Sequence, residues 1–271
     1  MEFSVWKTRA LLIFLLSVCI AITVALFSGQ PEAKPTDISI LPPVPVSQQV
    51  TDTQLEFSQN QSKKSRDVAD LPLLSTKKTS LNYRPKYEIS WANTLNYGKR
   101  YTHDIYGKPV YNRPIIVLHE TVYSAASAIN HFQTPHLNEK DQASYHSLIK
   151  LDGTIIYIVP PDKRAFGASN SVFIGSNGSE AVKTHRNFPP SVNNFAYHVS
   201  LETPANGRNS NRRHSGYTEA EYQSLAWLIA QSKVPDSRIT THKAVDRSGN
   251  RIDPRNFNRR KFLSLLHSYR R

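Results

Sequence analysis

Apolar positions fall into three regimes along this chain. Residues 10–27 are an unbroken run of uncharged, mostly apolar residues, 28–86 are polar and broken by prolines, and from 87 onward short apolar runs recur at helix and strand periods. The PIIVL run at 114–118 is continuous and β-branched, which predicts a central strand covered on both faces, with His119 directly behind it. Residues 121–132 place Ala125, Ala126, Ile129 and Phe132 at helical spacing. Two strand-like runs, 144–151 and 154–160, flank Asp152-Gly153, a pair that tolerates positive φ and so predicts a hairpin. A further strand is predicted at 195–201. The clearest helix is 218–233, where Thr218 caps, Glu221 completes a capping box, and Tyr222, Leu225, Ala226 and Ile229 form the apolar stripe. A short strand at 239–241 then delivers His242, and 260–269 reads as a basic terminal helix. Strands and helices alternate with hairpins present, so the expected fold is α/β: a mixed central β-sheet covered by helices, spanning 87–271.

The preceding residues read differently. At helical rise, 10–27 extends about 27 Å, enough to span a bilayer core, and Lys7 and Arg9 precede it. Either a membrane anchor or a cleaved signal peptide exports the remainder of the chain. The charge bias places residues 1–9 in the cytoplasm and the C-terminal domain in the periplasm or cell-wall space. Residues 28–86, rich in Pro, Ser and Lys, cannot bury enough apolar surface to offset the entropy of ordering and are expected to form a flexible linker. Cys19, inside the apolar run, is the single cysteine, so the exported part is expected to rely on its core rather than on disulfides. A net charge of +13 calls for an anionic partner. The basic residues are scattered and the chain reads as exported, which disfavours nucleic acid and favours an anionic wall polymer or membrane surface. A monomer is expected.

All ten histidines lie between His103 and His267, so imidazole chemistry belongs to the C-terminal domain. His119 and His242 each follow a β-forming run, where α/β sheets present functional groups, and Asp253 lies in the RIDP turn eleven residues after His242. Two imidazoles and a carboxylate are the three protein ligands of a catalytic zinc site, which leaves one position open for water. Taken from the residues alone, each histidine is equally at home as a hydrogen-bonded structural residue, and Asp253 as a turn residue before Pro254. The chain has no HExxH helix to suggest a zinc peptidase of that kind.

Five segments read together resemble the zinc-dependent N-acetylmuramoyl-L-alanine amidase family, whose fold is shared with peptidoglycan recognition proteins and phage amidase lysins. They are IIVLHET at 115–121, YHSLIKLDGTI at 145–155, PPDKRAFGAS at 160–169, YTEAEYQSLAWLI at 217–229 and THKAVDRSGNRIDPRNF at 241–257, in the family's order. The resemblance implies that His119, His242 and Asp253 bind zinc and that the amide between N-acetylmuramic acid and L-alanine of peptidoglycan or a muropeptide is cleaved. It also implies that Tyr145 orients water or stabilises the oxyanion. Arg251 stands where relatives often carry a lysine that polarises the scissile carbonyl. Some relatives place a catalytic glutamate where this chain has Ser200. Glu202, or His198 on the same strand face, is then expected to supply acid/base function from a shifted position. Gly167 occupies a position where relatives often have histidine, while His146, next to Tyr145 on the opposite face, is expected to be structural. The alternative is a non-catalytic peptidoglycan-binding domain of the same fold. Such relatives lose a zinc ligand, whereas all three positions here are competent.

Overall fold

The computed structural model describes residues 41–45 and 83–271. The predicted cytoplasmic segment at 1–9, the span at 10–27 and most of the 28–86 linker lie outside the described residues. Among the described residues no helix is long and apolar enough to cross a membrane. The linker contains an exception to its expected freedom. Leu41, at 3% exposure, belongs to the main core cluster, and Val44 packs against it. Prolines at 42, 43 and 45 restrict this stretch before it docks, which lowers the entropy lost when Leu41 is buried. Tyr83 is also engaged, its hydroxyl 2.6 Å from Ser224 Oγ.

Among the described residues the strands are β1 (Tyr87–Ile89), β2 (Tyr97–Lys99), β3 (Ile115–Glu120), β4 (Ser147–Ile149), β5 (Ile155–Tyr157), β6 (Lys163–Ala165), β7 (Phe173–Gly175), β8 (Gly178–Glu180), β9 (Ala196–Leu201) and β10 (Ile239–Thr241). Six of them form the central sheet in the order β1-β5-β4-β9-β3-β10, and β2 with β6 and β7 with β8 make two small antiparallel ribbons. Within that sheet β4 and β5 pair antiparallel and the other neighbours pair parallel. The β4–β5 pair is the predicted hairpin, and Gly153 takes φ +86° in its turn, where a side chain would strain the backbone. The mixed sheet expected from the alternation of elements is therefore observed.

Among the described residues the α-helices are α1 (Ala125–Gln133), α2 (Glu219–Ala230), α3 (His242–Val245) and α4 (Arg259–Tyr269). One sheet face, carrying Ile116, Leu118, Tyr197 and Val199, is covered by Leu225, Ala226, Leu228 and Ile229 of α2 and by Phe262, Leu265 and Leu266 of α4. Each such fully buried aliphatic or aromatic side chain contributes about 1.5–3 kcal/mol relative to exposure. The α2 start matches the sequence: Thr218 accepts from Glu221 N and Glu221 reaches back to Thr218 N. On the other face, Ile115, Val117 and Ala196 pack under the β7–β8 ribbon around Phe173, and α1 lays Ala125 and Phe132 against Leu148 and Ile156.

Helix α1 begins four residues later than predicted. Thr121 N continues the ladder to Leu201 O, Thr121 Oγ1 accepts from Thr203 N, and the cap is Ser124, whose hydroxyl accepts from Ser127 N. Of the three residues between β3 and that cap, Val122 and Tyr123 form a bend, closed by the bond from Thr121 Oγ1 to Tyr123 O.

Candidate metal centre and cleft

Strand register brings the two histidines together. Thr241, the last residue of β10, pairs with Leu118 of β3, so the next residues in each strand, His242 and His119, emerge side by side at one sheet edge. Thr241 then caps α3 by accepting from Ala244 N, which turns the chain away immediately behind His242. The following loop is folded around Asp246, whose carboxylate accepts from the backbone N–H of Ser248, Asn250 and Arg251. It returns to α3 through the bond from Lys243 N to Asp253 O at 2.9 Å. Asp253 Oδ2 then lies 3.1 Å from His242 Nδ1 and 3.5 Å from His119 Nδ1.

The three donor atoms lie within 4.8 Å of one another, with His119 and His242 both buried. Burial lowers the His119 pKa to about 4, so the ring is neutral near pH 7. For Asp253 burial alone acts upward. The adjacent His119 and His242 imidazoles outweigh it and hold the carboxyl below the usual range, so it is ionised. His119 Nδ1 is buried and has no hydrogen-bond partner among the described residues. Two imidazole nitrogens, one of them buried without a partner, and one ionised carboxylate oxygen fit a zinc ion, and no thiolate is needed.

The Tyr145 ring stacks on His119, with centroids 4.4 Å apart and planes at 26°. Burial, followed by the negative charge of Asp253, pushes its phenol well above the ordinary tyrosine value. Tyr145 therefore keeps its proton near pH 7. His242, Tyr145 and Arg251 line a cleft of about 820 Å³ and also a smaller adjoining hollow of about 170 Å³ that contains Asp253. The large cleft is walled by Val122 and Tyr123 after β3, by Phe166 and Gly167 after β6, and by Phe188. Arg251 is exposed at the junction of the two hollows.

Glu202 does not join this group. Its carboxylate accepts from Ala125 N at 3.0 Å, Leu151 N at 3.1 Å and the Arg208 guanidinium at 3.2 Å, and it lines neither hollow. It ties the start of α1 and the β4–β5 turn to the end of β9. Glu202→Gln is expected to lower stability by about 1.5–3 kcal/mol, the cost of losing charged hydrogen bonds, while turnover per folded molecule and its pH profile stay unchanged. Loss of one limb of that profile would instead make Glu202 the proton donor. Ser200 is wholly buried in β9. His146 is structural as expected: its Nδ1 accepts from His198 N at 2.9 Å and its ring stacks on Tyr197. His198, expected as an acid/base option, contacts His119, with its Nδ1 2.9 Å from His119 Nε2. The walls at 122–123, 166–167 and 188 come from segments outside the regular strands and helices.

Two imidazoles and a carboxylate gathered beside an open cleft form a group that could hold a metal ion. The model of the N-acetylmuramoyl-L-alanine amidase family matches residues 110–256, more than half of the chain, and the chain belongs to that family. Comparison with curated proteins finds no match. Among solved structures, a selenomethionine derivative of AmpD is 20% identical, with 67% of this chain and 94% of that one covered at a TM-score of 0.44. The amidase LysC from Clostridium intestinale is 20% identical over 68% of this chain and 99% of its own, at 0.38. AmpDh3 from Pseudomonas aeruginosa, in complex with anhydromuramic pentapeptide, is 19% identical over 65% and 64%, at 0.41.

Proposed function

We propose that this protein is a zinc-dependent hydrolase that cleaves the amide between N-acetylmuramic acid and L-alanine in peptidoglycan. The single observation that carries the reading is the convergence of His119 Nδ1, His242 Nδ1 and Asp253 Oδ2 at the foot of the cleft. A bound zinc would supply a Lewis acid and a lowered pKa for water. The residues around it do the rest. Tyr145, stacked on His119 and lining the cleft, retains its phenolic proton as a donor for the carbonyl oxygen as it gains charge. Arg251 adds a fixed positive charge where the two hollows meet. The walls formed by Tyr123, Phe166 and Phe188 offer apolar surface for orienting a glycopeptide. The apolar run at 10–27 and the basic residues before it support an exported domain held at the membrane by its N-terminus.

The test is product analysis. The full chain is incubated with purified peptidoglycan and zinc, and the soluble products are identified by mass spectrometry. Free stem peptides beginning with L-alanine are expected. Glycopeptides that keep the lactyl–alanine bond, or cuts within the stem peptide, would overturn the reading. Protein that pellets with unaltered wall would favour a binding domain.

A further inference from the structure

His119 turns Nδ1 toward His242 and Asp253, so its Nε2 faces the other way, into the sheet. There it meets Nδ1 of His198 at 2.9 Å, with ring centroids 5.1 Å apart. Register accounts for the meeting. His198 pairs with Val117, two residues before His119, and therefore shares its sheet face. Room for the ring exists because residue 167 is glycine: a Cβ at Gly167 would lie 2.5 Å from His198 Nδ1 and 2.6 Å from its Cγ. His198 is held from behind as well. Its backbone N donates to His146 Nδ1, the two rings are nearly parallel at 10°, and His146 in turn donates its Nε2–H to Lys163 O.

We propose that His198 is the positioning residue of the metal centre, accepting the Nε2–H of His119 on its Nδ1 and so keeping His119 Nδ1 free to bind a metal. The inference rests on the reading of His119 as a ligand. An imidazole that binds a metal through Nδ1 carries its proton on Nε2, and a buried N–H needs an acceptor. His198 Nδ1 is the partner that the described residues place there. The same arrangement puts the His198 proton on Nε2, an atom buried without a partner among the described residues. Carboxylates and carbonyls are the usual acceptors behind a metal-bound histidine. A neutral imidazole fixes the ring without adding negative charge to the ligand. Gly167 is then part of the same device, since its missing side chain leaves the volume that His198 fills from β9.

The experiment measures zinc affinity of the full chain by chelator competition in four forms. His198→Phe keeps ring volume but has no acceptor, His198→Asn keeps an acceptor near the Nδ1 position, and Gly167→Ala drives a Cβ into the ring. Relative to the parent, His198→Phe and Gly167→Ala are expected to lose about 10–100-fold in affinity, the usual effect of removing the partner behind a ligand, and His198→Asn to stay close to the parent. Nitrogen-15 NMR of the zinc-loaded parent is expected to find both His119 and His198 protonated on Nε2, a reading that needs no variant to fold. A folded His198→Phe with parental affinity, or a His198 proton on Nδ1 in the loaded parent, would overturn the proposal alone. A parent that binds no zinc would overturn the metal reading and this inference with it.

Discussion

His242→Ala is expected to strip the protein of zinc and to lower hydrolysis at least about a thousand-fold, while leaving the fold in place. The rate estimate follows from a metal contribution of several kcal/mol to the reaction barrier at about 1.4 kcal/mol per tenfold. The fold should survive because His242 opens a four-residue helix at the sheet edge and packs no hydrophobic cluster. Asp253→Asn makes a sharper test, since it keeps the shape of the side chain but removes the negative charge that sits between the two imidazoles. Its zinc affinity is expected to fall and its circular dichroism spectrum to match the parent. The measurements are zinc per polypeptide by elemental analysis and release of soluble peptide from labelled wall. Equimolar zinc in purified His242→Ala would sink the ligand assignment whatever the activity.

Much of this site was legible because it sits where strong local patterns end. The β-branched run 115–118 announces a buried strand, and an α/β sheet presents the residue behind such a strand at its edge, which is where His119 lies. The Asp152-Gly153 turn and the Thr218/Glu221 capping box are equally local, and both are present as read. What sequence could not show depends on partners far apart in the chain. Strand parity correctly puts His198, Ser200 and Glu202 on one face, but it cannot reveal that Ala125, Leu151 and Arg208 already occupy the carboxylate of Glu202. Nor can it show that a missing side chain at Gly167 makes room for His198. Strands β1, β2, β6, β7 and β8 are three residues each, too short for alternation to register against noise. The helical spacing of Ala125, Ala126, Ile129 and Phe132 does not mark where α1 begins, and the bonds of Thr121 to Leu201 and Thr203 are what hold residue 121 out of it.

The same long-range dependence hides the residue whose loss should cost the fold most. Glu120 ends β3 directly after His119 and is buried. Its carboxylate accepts from His214 Nε2 at 3.0 Å, the Tyr217 hydroxyl, Arg255 N at 3.0 Å and the Arg255 guanidinium. Arg255, only 6% exposed, also donates to Gly207 O and Asn211 O, so one ion pair pins the 207–217 segment and the loop after Asp253 to β3. Removing one partner of a buried pair leaves the other charge without compensation, at a cost of about 3–5 kcal/mol. Glu120→Ala is therefore expected to lower the melting temperature by on the order of 10 °C, at roughly 2–4 °C per kcal/mol for a domain of this size. Glu120→Gln, which keeps acceptors but not the charge, should fall between that variant and the parent. Zinc affinity should drop alongside stability, because Asp253 is two residues from Arg255 and loses its anchor to the strand that carries His119. Thermal melts of the metal-free chains separate the two effects. A Glu120→Ala melt within about 2 °C of the parent would mean that the buried pair contributes little net stability, as replacements of whole buried ion pairs by apolar residues sometimes show.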